Sequence, residues 1–212
     1  MYARHILRLK PLDPIDADPG AGDRGDLIHK ALEKFIEAHP RDLPANAEAE
    51  LIRFGEDAFV DYADRPAVRA FWWPRFLRVA RWFLEVERER RARGCRPLAW
   101  EAEGHYLLPT AAGPFRLRCI ADRIDRDPSA GIEIIDYKTG RTPSQKQVES
   151  GFSPQLPLEA MVLKAGGFAK VPAEDVTGLA YWKMSGGREP GKVAPLKDAP
   201  ALTEAAGQGL AR

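Results

Sequence analysis

The sequence predicts an α/β domain with a mixed central sheet, and three observations carry that prediction. Apolar residues recur at three-to-four-residue spacing as far as Arg93. After Arg96 the period falls to two over three consecutive runs. A helical run and a further strand-like run then follow, so helices, an antiparallel meander, a helix and a strand share one chain. With 212 residues and 44% hydrophobic content, the chain has enough apolar surface for one core.

Residues 1–25 read as extended and turn-rich, because Pro11, Pro14 and Pro19 interrupt any helix. A first helix is expected from Asp26, its N-cap, with Leu27, Ala31, Leu32, Phe35 and Ile36 on one stripe. Asn46 to Tyr62 reads as a second helix. Ala67 to Arg93 reads as a third, with Phe71, Trp72, Phe76, Val79, Ala80, Phe83 and Val86 in period and Gly94 as its stop. Leu98–Leu108, Phe115–Asp125 and Gly131–Lys138 are the expected meander strands. A helix from Pro154 to Ala165 and a strand from Val176 to Met184 complete the core. The reading is therefore a single domain over 1–212. Helices occupy 1–96, an α/β core 97–184, and a weakly structured tail rich in Gly, Pro, Ala and Lys 185–212.

Composition excludes several classes. Lys and Arg number 32 against 31 Asp and Glu, a net charge of +1, so the chain does not coat nucleic acid by bulk charge. No apolar run approaches the roughly 20 residues that span a bilayer, and MYARHILRLK lacks a signal-peptide core. Cys95 and Cys119 are too few for a disulfide framework or a Cys-only metal site, which suits a reducing cytoplasm. Lys138-Thr-Gly140 spells the strand tripeptide of penicillin-recognising enzymes, but their Ser-x-x-Lys partner is absent, and so is a P-loop.

Chemistry concentrates in Cys119-Ile-Ala-Asp-Arg-Ile-Asp125 and Gly131-Ile-Glu-Ile-Ile-Asp-Tyr-Lys-Thr-Gly140. Asp136 and Lys138 are two apart on one strand and leave the same face, whereas Ile135 and Tyr137 point the other way. Asp122 lies fourteen residues before Asp136, a separation that brings the two carboxylates together at one end of adjacent antiparallel strands. Asp125 competes with Asp122 for that role on spacing alone. Two carboxylates beside a lysine fit a hard divalent cation, and with it metal-assisted phosphodiester hydrolysis. Glu101 and Glu103 share parity on the first strand and read as exposed strand charge, the alternative being that one of them adds a carboxylate to the site. Arg75, Arg78, Arg81, Arg88, Arg90, Arg91, Arg93 and Arg96 fit two descriptions: a channel for single-stranded nucleic acid, or a solvated face paired with Glu85, Glu87 and Glu89. Arg141 and Lys146 follow the Asp-x-Lys strand closely enough to reach a nucleic acid.

Asp122…Asp136-Tyr137-Lys138 resembles the PD-(D/E)XK nuclease motif, and Ala-Asp-Arg-Ile-Asp with Ile-Ile-Asp-Tyr-Lys-Thr-Gly resembles its RecB-type branch. Gly25-Asp-Leu-Ile-His-Lys-Ala-Leu-Glu33 is similar to that branch's upstream histidine helix, and Pro154-Gln155-Leu-Pro-Leu-Glu159 to its glutamine motif. The opening Tyr2 to Pro14 resembles the C-terminal nuclease domain of AddB-type subunits, which places this chain inside a longer protein. The resemblance implies a restriction-endonuclease-like core and Mg²⁺, replaceable by Mn²⁺, with no iron–sulfur cluster. Its ligands would be His29, Asp122, Asp136 and the Tyr137 carbonyl. Lys138 and Gln155 would complete a catalytic set with Asp122 and Asp136. The implied substrate is DNA, a single-stranded end delivered by an AddA-like helicase–nuclease subunit during double-strand break repair and recombination in a bacterial cytoplasm, with no membrane. Glu159 stands where many RecB-type sequences carry tyrosine. The rivals are a decayed DNA-binding or subunit-docking module of the same fold and a stand-alone Cas4-like nuclease.

Overall fold

The computed structural model describes residues 20–111 and 113–210. Most of the opening segment, residues 1–19, lies outside them. Helix α1 (Ala21–Ala38) begins five residues before the expected Asp26, because Asp23 reaches back and accepts a hydrogen bond from the Gly20 N–H at 2.7 Å. Helix α2 (Ala47–Phe59) runs into a 3₁₀ turn, Val60–Tyr62. A π-helical turn, Val68–Trp72, precedes α3 (Trp73–Ala92), with Pro74 in the first turn, where a missing N–H costs nothing. That wider turn takes Phe71 out of the helical period and leaves it 67% exposed, although the spacing placed it on the apolar stripe.

The five-stranded sheet has the order β1-β2-β3-β4-β5. Strands β1 (Arg96–Leu108), β2 (Phe115–Asp127) and β3 (Gly131–Lys138) form the expected antiparallel meander. Helices α4 (Gln145–Glu149) and α5 (Gln155–Lys164) cross over to β4 (Val176–Lys183), which pairs parallel to β3, so the sheet is mixed. Helix α4, absent from the sequence reading, is one short turn closed by a Ser144–Gln147 capping box. The tail expected to be weak holds β5 (Lys192–Pro195), antiparallel to β4, and α6 (Ala199–Leu210), which buries Ala199, Leu202 and Thr203. Both elements are short and small-residue-rich, so their order comes from the neighbours they cover and not from local propensity.

Two apolar layers enclose the sheet. Ile135, Tyr137, Ala180 and Trp182 face Phe35, Phe76 and Phe83 of the three N-terminal helices. Ile124, Ile132, Ile134, Leu179 and Tyr181 face Leu156, Ala160 and Leu163 of α5 and Leu202 of α6. β3 is thus buried on both sides, which is why its sequence is nearly continuous in isoleucine. No described helix is long and apolar enough to cross a membrane.

Candidate active site

The sheet splits at the site. β2 and β3 pair only from Arg123↔Ile135 to Asp127↔Gly131. Beyond Arg123, β2 continues with β1 alone, and beyond Ile135, β3 continues with β4 alone. Asp122 stands in that fork, inside β2 and not at its end as the spacing suggested, and its Oδ2 accepts a hydrogen bond from the Tyr137 N–H at 2.7 Å. The carboxylate therefore satisfies a backbone donor that the departing strand leaves unpaired.

Two groups of side chains meet across this fork. In the first, His29 Nδ1 of α1 lies 3.8 Å from Asp122 Oδ2. Ligand atoms of His29, Glu101 and Asp122 all fall within 4.8 Å of one another. The His29 ring stands edge-on to Tyr137 at 5.7 Å, which fixes its plane. Glu101 is opposite Asp122 where the β1–β2 ladder breaks, between Trp100↔Arg123 and Ala102↔Ala121. Its φ of 41° is a left-handed conformation costly for a residue with a side chain, of order 1–2 kcal/mol. Parity made Glu101 an exposed strand charge; this local kink, invisible to an alternation rule, turns it into the cluster instead. Glu103 does stay exposed.

In the second group, Lys138 Nζ lies 2.7 Å from both carboxylate oxygens of Asp136 and donates in line to Oδ1. Gln155, the first residue of α5, donates Nε2 to Asp136 Oδ1 at 2.6 Å and accepts from Lys138 Nζ at 3.2 Å. The same Nε2 donates to Glu159 Oε1 at 3.1 Å, one helical turn on. Gln155 thus has one amide orientation: nitrogen between two carboxylates, oxygen toward an ammonium. Glu159, only 1% exposed, is a site residue the sequence reading did not place. Its i,i+4 spacing from Gln155 was the available signal.

Burial first, then the Asp122 charge, lifts the Asp136 carboxyl to about 6, against the pull of Lys138. Burial, with Asp122 and Glu33 adding, lifts Glu101 to about 7. Burial lifts Glu159 to about 8; the Gln155 hydrogen bond opposes this, and the Asp136 and Asp122 charges reinforce it. Acidic groups gathered this closely destabilise one another's charged forms, and a cation reverses that penalty. Asp136 Oδ2 is buried and accepts no directed hydrogen bond, its charge being met by the Lys138 ammonium at 2.7 Å. The imidazole of His29 with the carboxylates of Glu101 and Asp122 is a donor set that fits a divalent metal, and Asp136 stands outside that trio.

Asp125 takes no part. It is fully buried on the opposite face, where Arg123 holds it at 2.6 Å and Arg90 at 2.9 Å. The same network contains Glu87, bound by Arg123 and by Arg91, and Glu133, bound by Arg90. The α3 arginines are accordingly divided. Arg90 and Arg91 are buried in this network, Arg78 donates to the Gly186 carbonyl, and Arg81 pairs with Glu48.

Comparison with known proteins shows the family. Residues 2–212 match the PD-(D/E)XK nuclease superfamily, and the chain belongs to that family. It is 30% identical over 167 residues to an uncharacterized protein of Rickettsia bellii (strain RML369-C). It is 32% identical over 171 residues to an uncharacterized protein of Rickettsia typhi (strain ATCC VR-144 / Wilmington). Both matches take in 79% of this chain, which spans about one fifth of each relative's length. A solved structure titled "Crystal structure of SSO0001" covers 88% of this chain and is covered to 73%, at 14% identity and a TM-score of 0.31.

Proposed function

We propose that this chain is a metal-dependent DNA nuclease domain of a longer protein, and that Asp122, Asp136, Lys138 and Gln155 are its catalytic residues. The observation that supports it most is that Asp122, grouped with His29 and Glu101, accepts the N–H of Tyr137, the residue between Asp136 and Lys138, whose side chains meet Gln155. His29, Asp122, Asp136 and the Tyr137 carbonyl would hold Mg²⁺ or Mn²⁺, with Glu101 as an additional carboxylate. A divalent cation there supplies Lewis acidity to a phosphodiester and lowers the pKa of a bound water.

The chain's own residues set the rest of the chemistry. The Lys138 ammonium, anchored by Asp136 and Gln155, offsets charge that develops on the phosphate. Gln155 fixes the direction of that ammonium and crowds out competing rotamers. Asp122 ties the two groups together through the Tyr137 backbone. The finer reading is a RecB-type domain most similar to AddB-type nuclease domains, acting beside an AddA-like helicase–nuclease subunit in cytoplasmic break repair and recombination. It draws support from the motif order.

The test is cleavage of labelled single-stranded DNA in Mg²⁺. The parent is expected to cut, and Asp136→Ala and Lys138→Ala to lose at least about 100-fold, the scale of a lost transition-state charge partner. Equal cleavage by either variant, or an inert parent in both Mg²⁺ and Mn²⁺, overturns the assignment.

A further inference from the structure

Past Ala102 and Ala121 the β1–β2 pair leaves the rest of the sheet as a two-stranded ribbon, paired in unbroken register to Leu108↔Phe115. Its two faces differ. Ala102, Tyr106, Leu117 and Cys119 pack toward the α5 layer. The other face carries Glu103 opposite Ile120, His105 opposite Arg118, and Leu107 opposite Arg116, and all six are exposed. Ile120 and Leu107 are 51% and 56% exposed, and the Arg118 side chain is 72% exposed.

The ribbon begins at the cluster. Along β2, Ile120, Arg118 and Arg116 lie two, four and six residues from Asp122, about 7, 13 and 20 Å at about 3.3 Å per residue. Glu103, His105 and Leu107 lie two, four and six residues beyond Glu101 on β1. The cluster itself is acidic, with Glu33, Glu101, Asp122 and Asp136 acting on one another, and it repels a polyanion. Two guanidinium groups on the adjoining face, that of Arg118 4.0 Å from the Glu103 carboxylate and that of Arg116 farther along, oppose that repulsion where a phosphate chain would leave the cluster. The apolar residues are single and interleaved with charge. That pattern suits sugar and base contacts along a strand better than the continuous apolar patch of a protein interface.

We propose that this ribbon face is the track that holds the sugar–phosphate backbone of single-stranded DNA leading to the cluster, with Arg116 and Arg118 on successive phosphates. The identity of the ligand rests on the nuclease reading, but its test does not depend on cleavage. A labelled oligonucleotide of about ten nucleotides, within the usual single-strand site size, is titrated with the 212-residue chain in EDTA and followed by anisotropy at several salt concentrations. The Arg116→Glu/Arg118→Glu chain is expected to bind at least 10-fold more weakly. Arg116→Gln/Arg118→Gln is expected to lower the slope of log affinity on log salt by about 1.4, or about 0.7 for each lost phosphate contact. Mn²⁺ affinity by calorimetry should match the parent in both. Unchanged DNA affinity and slope overturn the track, whether the face then proves to be bare or covered by another protein. A parent that binds DNA through these arginines yet never cuts it would sink the nuclease reading and leave the track standing.

Discussion

The Asp122 carboxylate accepts the Tyr137 N–H at 2.7 Å and lies 3.8 Å from His29, so one side chain closes a fork in the sheet and joins the His29–Glu101 cluster. These duties separate by mutation. Asp122→Asn keeps an oxygen for the Tyr137 N–H and removes the charge. It should retain the parent's melting temperature while Mn²⁺ affinity falls at least about 10-fold, the scale set by losing one carboxylate ligand. Asp122→Ala leaves the N–H unsatisfied and should in addition destabilise by about 1–3 kcal/mol in urea unfolding.

Glu159 is linked by hydrogen bonds to Lys138 and Asp136 through Gln155. Glu159→Gln retains an acceptor oxygen at the same reach and should keep cleavage within about threefold, near the lower limit of one neutral hydrogen bond. Glu159→Leu frees the Gln155 amide to turn and should lower the cleavage rate about 10-fold with little change in DNA affinity. Single-turnover cleavage beside anisotropy binding separates the two effects.

Stability of the metal-free chain should fall as pH rises. Glu159, Glu101 and Asp136 titrate in the folded state at about 8, 7 and 6, above their ordinary values of 4.5, 4.5 and 3.8. Between those limits the folded chain holds more protons than the unfolded one, so this stabilisation is complete at the acid end and lost by pH 8. Thermal melts from pH 5 to 8.5 should show a falling melting temperature, and Glu159→Gln should flatten the upper part by about 2–4 °C per kcal/mol. Mn²⁺ should raise the melting temperature more at pH 8 than at pH 5.5, because its ligands must give up protons.

The buried Glu87–Arg123–Asp125–Arg90 network sits under the Trp182 ring, with the Arg123 and Arg90 guanidinium carbons 5.4 and 5.5 Å from its centre. Arg123→Met would leave Asp125 to Arg90 and Glu87 to Arg91 alone and should cost about 3–5 kcal/mol in urea unfolding. Mn²⁺ affinity measured well below the unfolding midpoint should be unchanged, since the Tyr137 ring stands between Arg123, which donates to its hydroxyl, and the His29 imidazole.

The elements were legible where period and length agreed. Gly131–Lys138 matches its expected bounds, Gln155–Lys164 is shorter than expected by one residue at each end, and Val176–Lys183 by one at its C-terminal end. The meeting of Asp136 with Lys138 was legible because two-residue spacing on a strand puts both side chains on one face, whereas Gln155 was singled out by the motif it resembles. Glu101 was not, since its direction depends on one left-handed residue. Asp125 shows the opposite case: three residues from Asp122 in sequence, it belongs to a structural ion network on the other face.

Local order, the helix and strand menu, and the residue types able to hold a hard cation follow from the amino-acid sequence, because dihedral preference and side-chain alternation act over a few residues. The meeting of His29 with Asp122, the partnership of Glu159 with Gln155 and the exposed ribbon face were decided by tertiary structure. Each depends on where strands part and helices dock, and those positions come from burying two apolar layers over the whole chain.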